Sequence, residues 1–385
     1  MLYRQIGKTG QKASILGFGC MRLPVINGKN HLIDEEKATA MVDYALRNGV
    51  NYFDTAYVYH SEIQFHAGMS EVFLGKALKH ERKNIYLATK LPSWLIKTRD
   101  DMDRYLDHQL ERLQTDHIDF YLLHGMNADK WKILSNLDVT GFLEAALADG
   151  RIKYAGFSFH DQFPLFREIV DSYDWSFCQI QYNYMDENYQ AGRQGLQYAA
   201  AKDLGIIIME PLRGGSLTAR LPANVQKIWD AADIGRTPAE WALRFLWDKP
   251  EINVVLSGMT EMEHVVENIR IASEGIAQSL TDKELALIQE VKSIYQARTK
   301  VDCTGCHYCM PCPQGVNIPI CFLQLNNALI YNDHKTARLR YNNFLKEQQR
   351  ASNCVKCGRC EEACPQHIPI KDMLKEVVLE LENTG

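Results

Sequence analysis

Apolar positions along this chain fall into two kinds of pattern, short continuous runs and stretches of helical spacing. Short β-rich apolar runs bounded by turn residues occur at SILGFG (14–19), NYFDTA (51–56), IYLATK (85–90), DFYLLH (119–124), YAGFS (154–158), FCQIQY (177–182), IIIMEP (206–211) and NVVLSG (253–258). Between them lie stretches with apolar residues three and four apart, among them DEEKATAMVDYALRNG, TRDDMDRYLDHQLERLQ, TPAEWALRFLWD and MEHVVENIRIA. Each such stretch starts near an Asp or Thr able to cap a helix, and several stop at Gly. Strand and helix taking turns eight times over about 250 residues predict an α/β fold of the (β/α)8 TIM-barrel type, since an open doubly wound sheet usually has fewer strands. No G-x-G-x-x-G follows an early strand, so the Rossmann dinucleotide fingerprint is missing.

After residue 280 the short β-rich apolar runs stop. SLTDKELALIQEVKSIYQARTK reads as a connecting helix, and IPICFLQLNNALIYND and KTARLRYNNFLKEQQRAS as two further helices. The expected organisation is a barrel over 1–280, a connecting helix over 281–300 and an α-helical cysteine domain over 301–385.

Composition adds exclusions. Hydrophobic residues make up 46% and charged residues 24% of the 385 positions, values at which a core is buried without staples. Forty-three basic against forty-eight acidic side chains leave a formal charge of −5. That gives no basic field for nucleic acid. The first residues lack the apolar run of a secretory signal, and no stretch of about 18 apolar residues is present to span a membrane. The expectation is a cytoplasmic protein with neither nucleic-acid nor membrane partners.

Active sites of such barrels lie where strands end, so polar residues closing apolar strands are the candidates. Asp54 closes the second strand, Lys90 the third and His124 the fourth, and Tyr59 follows Asp54 in the same loop. Singly, each is equally well a cap, a solvated strand end or a packing residue. Together they make machinery for carbonyl reduction. An ammonium beside a phenol favours phenolate and is expected to lower the tyrosine pKa, so that Tyr59 can donate a proton at neutral pH as general acid, while a carboxylate holds the ammonium charged. An adjacent imidazole can orient the substrate oxygen and stabilise its developing charge. Trp94, Phe159 and His160 follow strand ends and are candidate pocket residues, although packing accounts for them equally.

With LGFGCMRLP, NYFDTAYVYH, ATKLP and YLLHG in this order, residues 1 to about 275 resemble the aldo-keto reductases. The resemblance implies an Asp-Tyr-Lys-His tetrad of Asp54, Tyr59, Lys90 and His124, reducing aldehydes or ketones with NADPH or NADH. It also implies coenzyme contacts at Gly19, Cys20 and Met21, at Ser158 and Gln179 beside the nicotinamide amide, at Leu212, Arg213 and Gly214, and at Glu267 and Asn268 near the adenine. Phe159 and Met209 depart from the family pattern, Met209 standing where many members stack an aromatic ring. Of the residues that could meet a 2′-phosphate, only His264 carries partial positive charge there, with Arg213 as a phosphate contact from another loop.

Nine of the eleven cysteines lie after residue 300, which argues for metal ligation over disulfides. Cys354, Cys357, Cys360 and Cys364 follow C-x2-C-x2-C-x3-C-P, the run that holds a [4Fe-4S] cluster. Cys303, Cys306, Cys309 and Cys312 are one residue short before the fourth cysteine, but CPQGVNIPI then echoes CPQHIPI. In two-cluster ferredoxins the fourth cysteine of each run serves the other cluster. The expected sets are therefore Cys303, Cys306, Cys309 and Cys364 on one, and Cys354, Cys357, Cys360 and Cys312 on the other, with Cys321 spare as a buried small apolar residue. The whole resembles the aldo-keto reductases that carry a C-terminal ferredoxin-like domain. Two functions remain open for the clusters: exchange of electrons with a protein partner, or a structural role. A non-catalytic iron-sulfur sensor is the third reading, disfavoured by the complete tetrad. Electron exchange with a two-electron nicotinamide calls for a two-step carrier such as a flavin, for which the chain shows no signature.

Overall fold

The computed structural model describes residues 1–385 apart from 64–65, 220, 304, 306–308, 365 and 384–385. Strands β1 (Tyr3–Gln5) and β2 (Lys12–Ser14) form an antiparallel hairpin. They are followed by β3 (Leu16–Gly19), β4 (Tyr52–Asp54), β5 (Tyr86–Leu91), β6 (Ile118–Met126), β7 (Ile152–Phe159), β8 (Phe177–Gln181), β9 (Gly205–Met209) and β10 (Val254–Gly258). β3 to β10 pair in parallel in chain order, and β10 returns to β3 to close the barrel. All eight expected strands are in it.

The helices form where the sequence placed them and for the reasons it offered. Helix Glu35–Arg47 is capped by Asp34, whose side chain accepts from the Lys37 amide. Helix Arg99–Leu113 opens on a reciprocal capping box of Thr98 and Asp101. The N-terminal hairpin was not anticipated, because three-residue strands carry too short an alternation to register. Ile6 and Ala13 from it join Tyr52, Phe120, Phe177 and Val254 in one buried cluster at the end of the barrel where strands begin. Gly7 is required there: with φ at +42°, a Cβ would fall 2.3 Å from the Gly205 amide nitrogen.

Two compact units divide the chain: residues 1–214 with 239–281, and residues 215–238 with 282–385. The first holds the barrel. In the second, helix Asp282–Gln296 has as its neighbour helix Ala223–Asp230, from the segment that follows β9, and Arg236 pairs with Glu284 at 2.5 Å. The helix expected as a connection is thus part of the second unit's own packing. Helices Ile318–Ile330 and Ile370–Val377 follow the two Cys-Pro-Gln runs and pack on each other, as the repeat in sequence suggested. Their core includes Val316, Phe322, Leu325, Tyr341 and Leu374. Among the described residues no helix is long and apolar enough to cross a membrane.

Candidate active site and cysteine module

Parallel pairing brings the strand ends to one rim, and with them Asp54, Lys90, His124 and Tyr59. The Lys90 ammonium donates to Asp54 Oδ1 and Oδ2, each at 2.8 Å, and to the Thr55 carbonyl at 2.7 Å. Lys90 is fully buried, and its Nζ lies 5.0 Å from the centre of the Tyr59 ring. His124 meets that ring edge-on at 6.1 Å between centroids, and Trp94 lies 5.1 Å from His124 on another side. The four residues expected to act together are together.

Burial by itself disfavours the Lys90 ammonium, yet attraction to Asp54 and Tyr59 outweighs it and holds the Lys90 pKa above its ordinary value. Burial raises the Asp54 pKa, and Lys90 draws it back in part. Two carboxylate oxygens gripping one ammonium make an ion pair that titrates as a unit. Tyr59 departs from the expectation of a lowered pKa. Lys90 does pull it down, but burial is the larger effect and Asp54 adds to it, so the phenol stays above its ordinary value. At neutral pH it is therefore protonated, a donor and not a base. Burial, then Lys90, His160 and Lys130, hold the His124 pKa well below normal, so its imidazole is neutral.

A buried network that the sequence did not flag stands behind the tetrad. Glu71 Oε1 accepts from Thr89 Oγ1 and Gln109 Nε2, each at 2.7 Å, and Glu71 Oε2 from Arg112 Nε at 2.9 Å. Gln109 also donates to the Lys90 carbonyl at 3.1 Å and accepts from the Tyr121 hydroxyl at 2.9 Å. Each member reads as an ordinary helix-face or strand residue until the helices pack on the barrel, so no local signal marks it.

The expected coenzyme residues occupy the same rim in parts. Ser158 and Gln179 are register partners on β7 and β8. Gln179 is 2% exposed and among the described residues its Oε1 has no partner, while its Nε2 donates to Met209 Sδ at 3.5 Å. An orphaned buried acceptor fits the N–H donors of a carboxamide such as that of nicotinamide. Ser158 Oγ accepts from the Gly125 amide at 2.7 Å, so part of its capacity is spent within the protein. Gly19 and Cys20 are buried at the end of β3, and Met21 is exposed. Leu212, Arg213 and Gly214 follow β9, with Arg213 at φ +52° and its Nε 3.2 Å from Asp186. That carboxylate tempers the charge expected to reach a phosphate. On helix Met262–Ala272, His264 is exposed, Glu267 is half-buried, and Asn268 is buried with its amide donating to Ser257 Oγ at 3.0 Å. Arg22, which sequence reasoning missed, lies along Gly258, where a Cβ would come within 3.1 Å of its Cδ. Phe159 is fully buried against Phe166 and is a packing residue.

In the second unit a cavity of about 150 Å³ is lined by Cys312, Cys354, Cys357 and Cys360, with Cys309 also on its wall. Among the described residues no three His, Cys, Asp or Glu side chains converge on a single-ion position. Thiols arranged around a void fit a polynuclear cluster better than one zinc ion. Cys303 packs on the module core and Cys364 is buried in it; Cys306 lies outside the described residues. Cys321 is fully buried, 3.8 Å from the Tyr341 hydroxyl, and its pKa is pushed up to about 12 by burial, in keeping with a packing role.

The closed eightfold parallel barrel, with Asp54, Tyr59, Lys90 and His124 gathered at its C-terminal rim, is that of an oxidoreductase. The chain belongs to the aldo/keto reductase family, whose model matches residues 15–293, and a 4Fe-4S dicluster domain matches residues 302–368. It is 26% identical over 317 residues to an L-galactose dehydrogenase of Arabidopsis thaliana, covering 76% of this chain and 95% of that one. It is 28% identical over 357 residues to protein tas of Escherichia coli, covering 77% and 99%. The holo form of an aldo-keto reductase from Bacillus halodurans superposes with a TM-score of 0.62 at 27% identity, covering 76% and 96%.

Proposed function

We propose that the protein reduces a carbonyl substrate, an aldehyde, ketone or quinone-like compound, with a nicotinamide coenzyme, Tyr59 acting as general acid. The observation that carries this reading is the Lys90 ammonium, fixed by Asp54 and Thr55 and set 5.0 Å from the Tyr59 ring centre. The coenzyme, when bound, supplies a hydride. Gln179 and Ser158 would hold its carboxamide, and Arg22, Arg213 and His264, which follow β3, β9 and β10, are the basic groups proposed for its phosphates, with NADPH the family's usual choice. Tyr59 donates its proton to the substrate oxygen as the carbon is reduced. Neutral His124 hydrogen-bonds the same oxygen and keeps it aimed at the phenol. Lys90 then faces a developing phenolate, whose charge it stabilises. Tyr59→Phe is expected to lose about 10²- to 10⁴-fold in turnover while still binding coenzyme; full activity in that variant would rule out the tetrad mechanism.

The cysteine module would hold two [4Fe-4S] clusters, which supply single-electron storage. The crossed ligand sets remain the reading that the cavity shared by Cys312 with Cys354, Cys357 and Cys360 supports. In the proposed role the clusters exchange electrons with a protein partner. A structural role is the second reading, favoured by the packing of Cys303, Cys309, Cys312, Cys354 and Cys360 on the module's core. Recording cluster spectra anaerobically during turnover separates the two: bleaching supports transfer, and constant spectra support scaffolding. Thiolate ligation on this scale favours a reducing compartment, the cytoplasm.

A further inference from the structure

We propose that Lys130 binds a carboxylate carried by the substrate, so that the preferred carbonyl compound is an oxo-acid. The inference rests on the reading of Tyr59 and His124 as the reducing site.

Lys130 sits in the first turn of helix Ala128–Asn136, directly after β6, where Asn127 caps the helix by accepting from the Lys130 amide at 3.0 Å. Its side chain folds back over the rim. Nζ donates to the Gly125 carbonyl at 2.8 Å and lies 5.8 Å from the centre of the Trp94 ring, which is itself 5.1 Å from the His124 ring. Gly125 marks the spot from its other side: a Cβ on it would stand 3.3 Å from Lys130 Nζ and 3.7 Å from His160 Cδ2. The ammonium and the His160 ring therefore flank one point, a single residue beyond His124.

Lys130 is half-buried, and among the described residues it has no ion pair. Burial lowers its pKa, with no acidic group raising it in return. A partly desolvated cation without a counter-charge is costly to hold. One of its three N–H donors goes to Gly125, and an anion entering beside His124 would take up the rest. A carboxylate fits better than a phosphate. Lys130 is one cation, and the Ala128 and Lys130 amides at the start of its helix are already taken by Asp161 Oδ2 and Asn127 Oδ1. Trp94 and His160 form the walls against which the carbon chain between carboxylate and carbonyl would lie.

The test uses the full cluster-loaded chain, 4-oxobutanoate and its methyl ester, in which a methyl group removes the charge at the far end. The wild type is expected to prefer the acid. Lys130→Met is expected to lower kcat/KM for the acid roughly tenfold or more relative to the ester, mainly through KM. Lys130→Arg should keep much of the preference, which separates charge from folding. Reduction of the ester by the wild type reports on the reducing site alone. Equal rates for acid and ester, or an equal loss of both in Lys130→Met, would overturn the inference and leave that reading intact. If neither compound is reduced, calorimetric binding of 4-oxobutanoate decides: weaker binding to Lys130→Met supports the carboxylate site, and identical binding overturns it.

Discussion

Lys90 and Asp54 form a closed ion pair, each carboxylate oxygen 2.8 Å from the ammonium, with side-chain exposures of 0% and 4%. The pair joins two adjacent strands of the barrel and aims a positive charge at Tyr59. Stability and chemistry meet in the same contact, and the first experiment follows from that.

Removing one partner strands a buried charge. Asp54→Leu or Lys90→Met alone is expected to cost about 3–5 kcal/mol in urea unfolding. The double variant Asp54→Leu with Lys90→Met should recover part of that loss, because no lone charge remains, yet stay as inactive as either single change. Recovery of turnover along with stability would show that the pair is structural only.

The Tyr59 phenol is held above its ordinary pKa of about 10, chiefly by burial, and reduction consumes its protonated form. The reduction rate should therefore be level through neutral pH and fall only on the alkaline side. Alcohol oxidation, which needs the phenolate, should rise with pH over the same range. His124, kept neutral by burial and neighbouring cations, should add no acid limb near its ordinary value of about 6.5. A kcat profile that breaks near neutrality would contradict both assignments.

Glu71 is buried and accepts from Thr89, Gln109 and Arg112, and Gln109 reaches the Lys90 carbonyl. Gln109→Leu leaves Tyr121 and Glu71 short of partners and is expected to destabilise by about 1–3 kcal/mol. Turnover should fall while KM for coenzyme holds, as the Lys90 backbone loosens. Unchanged unfolding midpoints would remove the network from the account.

Crossed ligation has a signature in iron content. Cys312→Ser and Cys354→Ser, from different runs, should each deplete the same cluster, and the double variant should lose no more iron than either. Cys303→Ser combined with Cys354→Ser should deplete both clusters. Additive loss in the first pair, measured as iron per chain with electron paramagnetic resonance, would require uncrossed sets.

Much of this was legible because it is local. Eight short apolar runs, separated by amphipathic stretches, specify strand and helix in turn, and each barrel strand needs only its two neighbours. Strand ends then point to Asp54, Lys90 and His124 without knowledge of distances. Cysteine spacing is equally local, since a three-residue repeat sets how thiolates curl around a cluster. The hairpin Tyr3–Ser14 was not legible, as its strands are three residues each and its apolar side chains, Ile6 and Ala13, find their cluster only across the barrel.

What the sequence by itself determined was the alternation that closes the barrel, the residue types on its rim and the cysteine repeat. The tertiary structure decided the electrostatics. A lysine's effect on a tyrosine depends on how far water is excluded from both, and here burial outweighs the ammonium, so the Tyr59 phenol lies above its ordinary pKa where residue types alone suggested a lowered one. Only packing, likewise, set Gln109 behind Lys90, buried Gln179 beside Met209, turned Phe159 into the core, and brought Lys130 back over the rim beside Trp94. These are relations between elements remote in the chain, and they exist only once the barrel has closed.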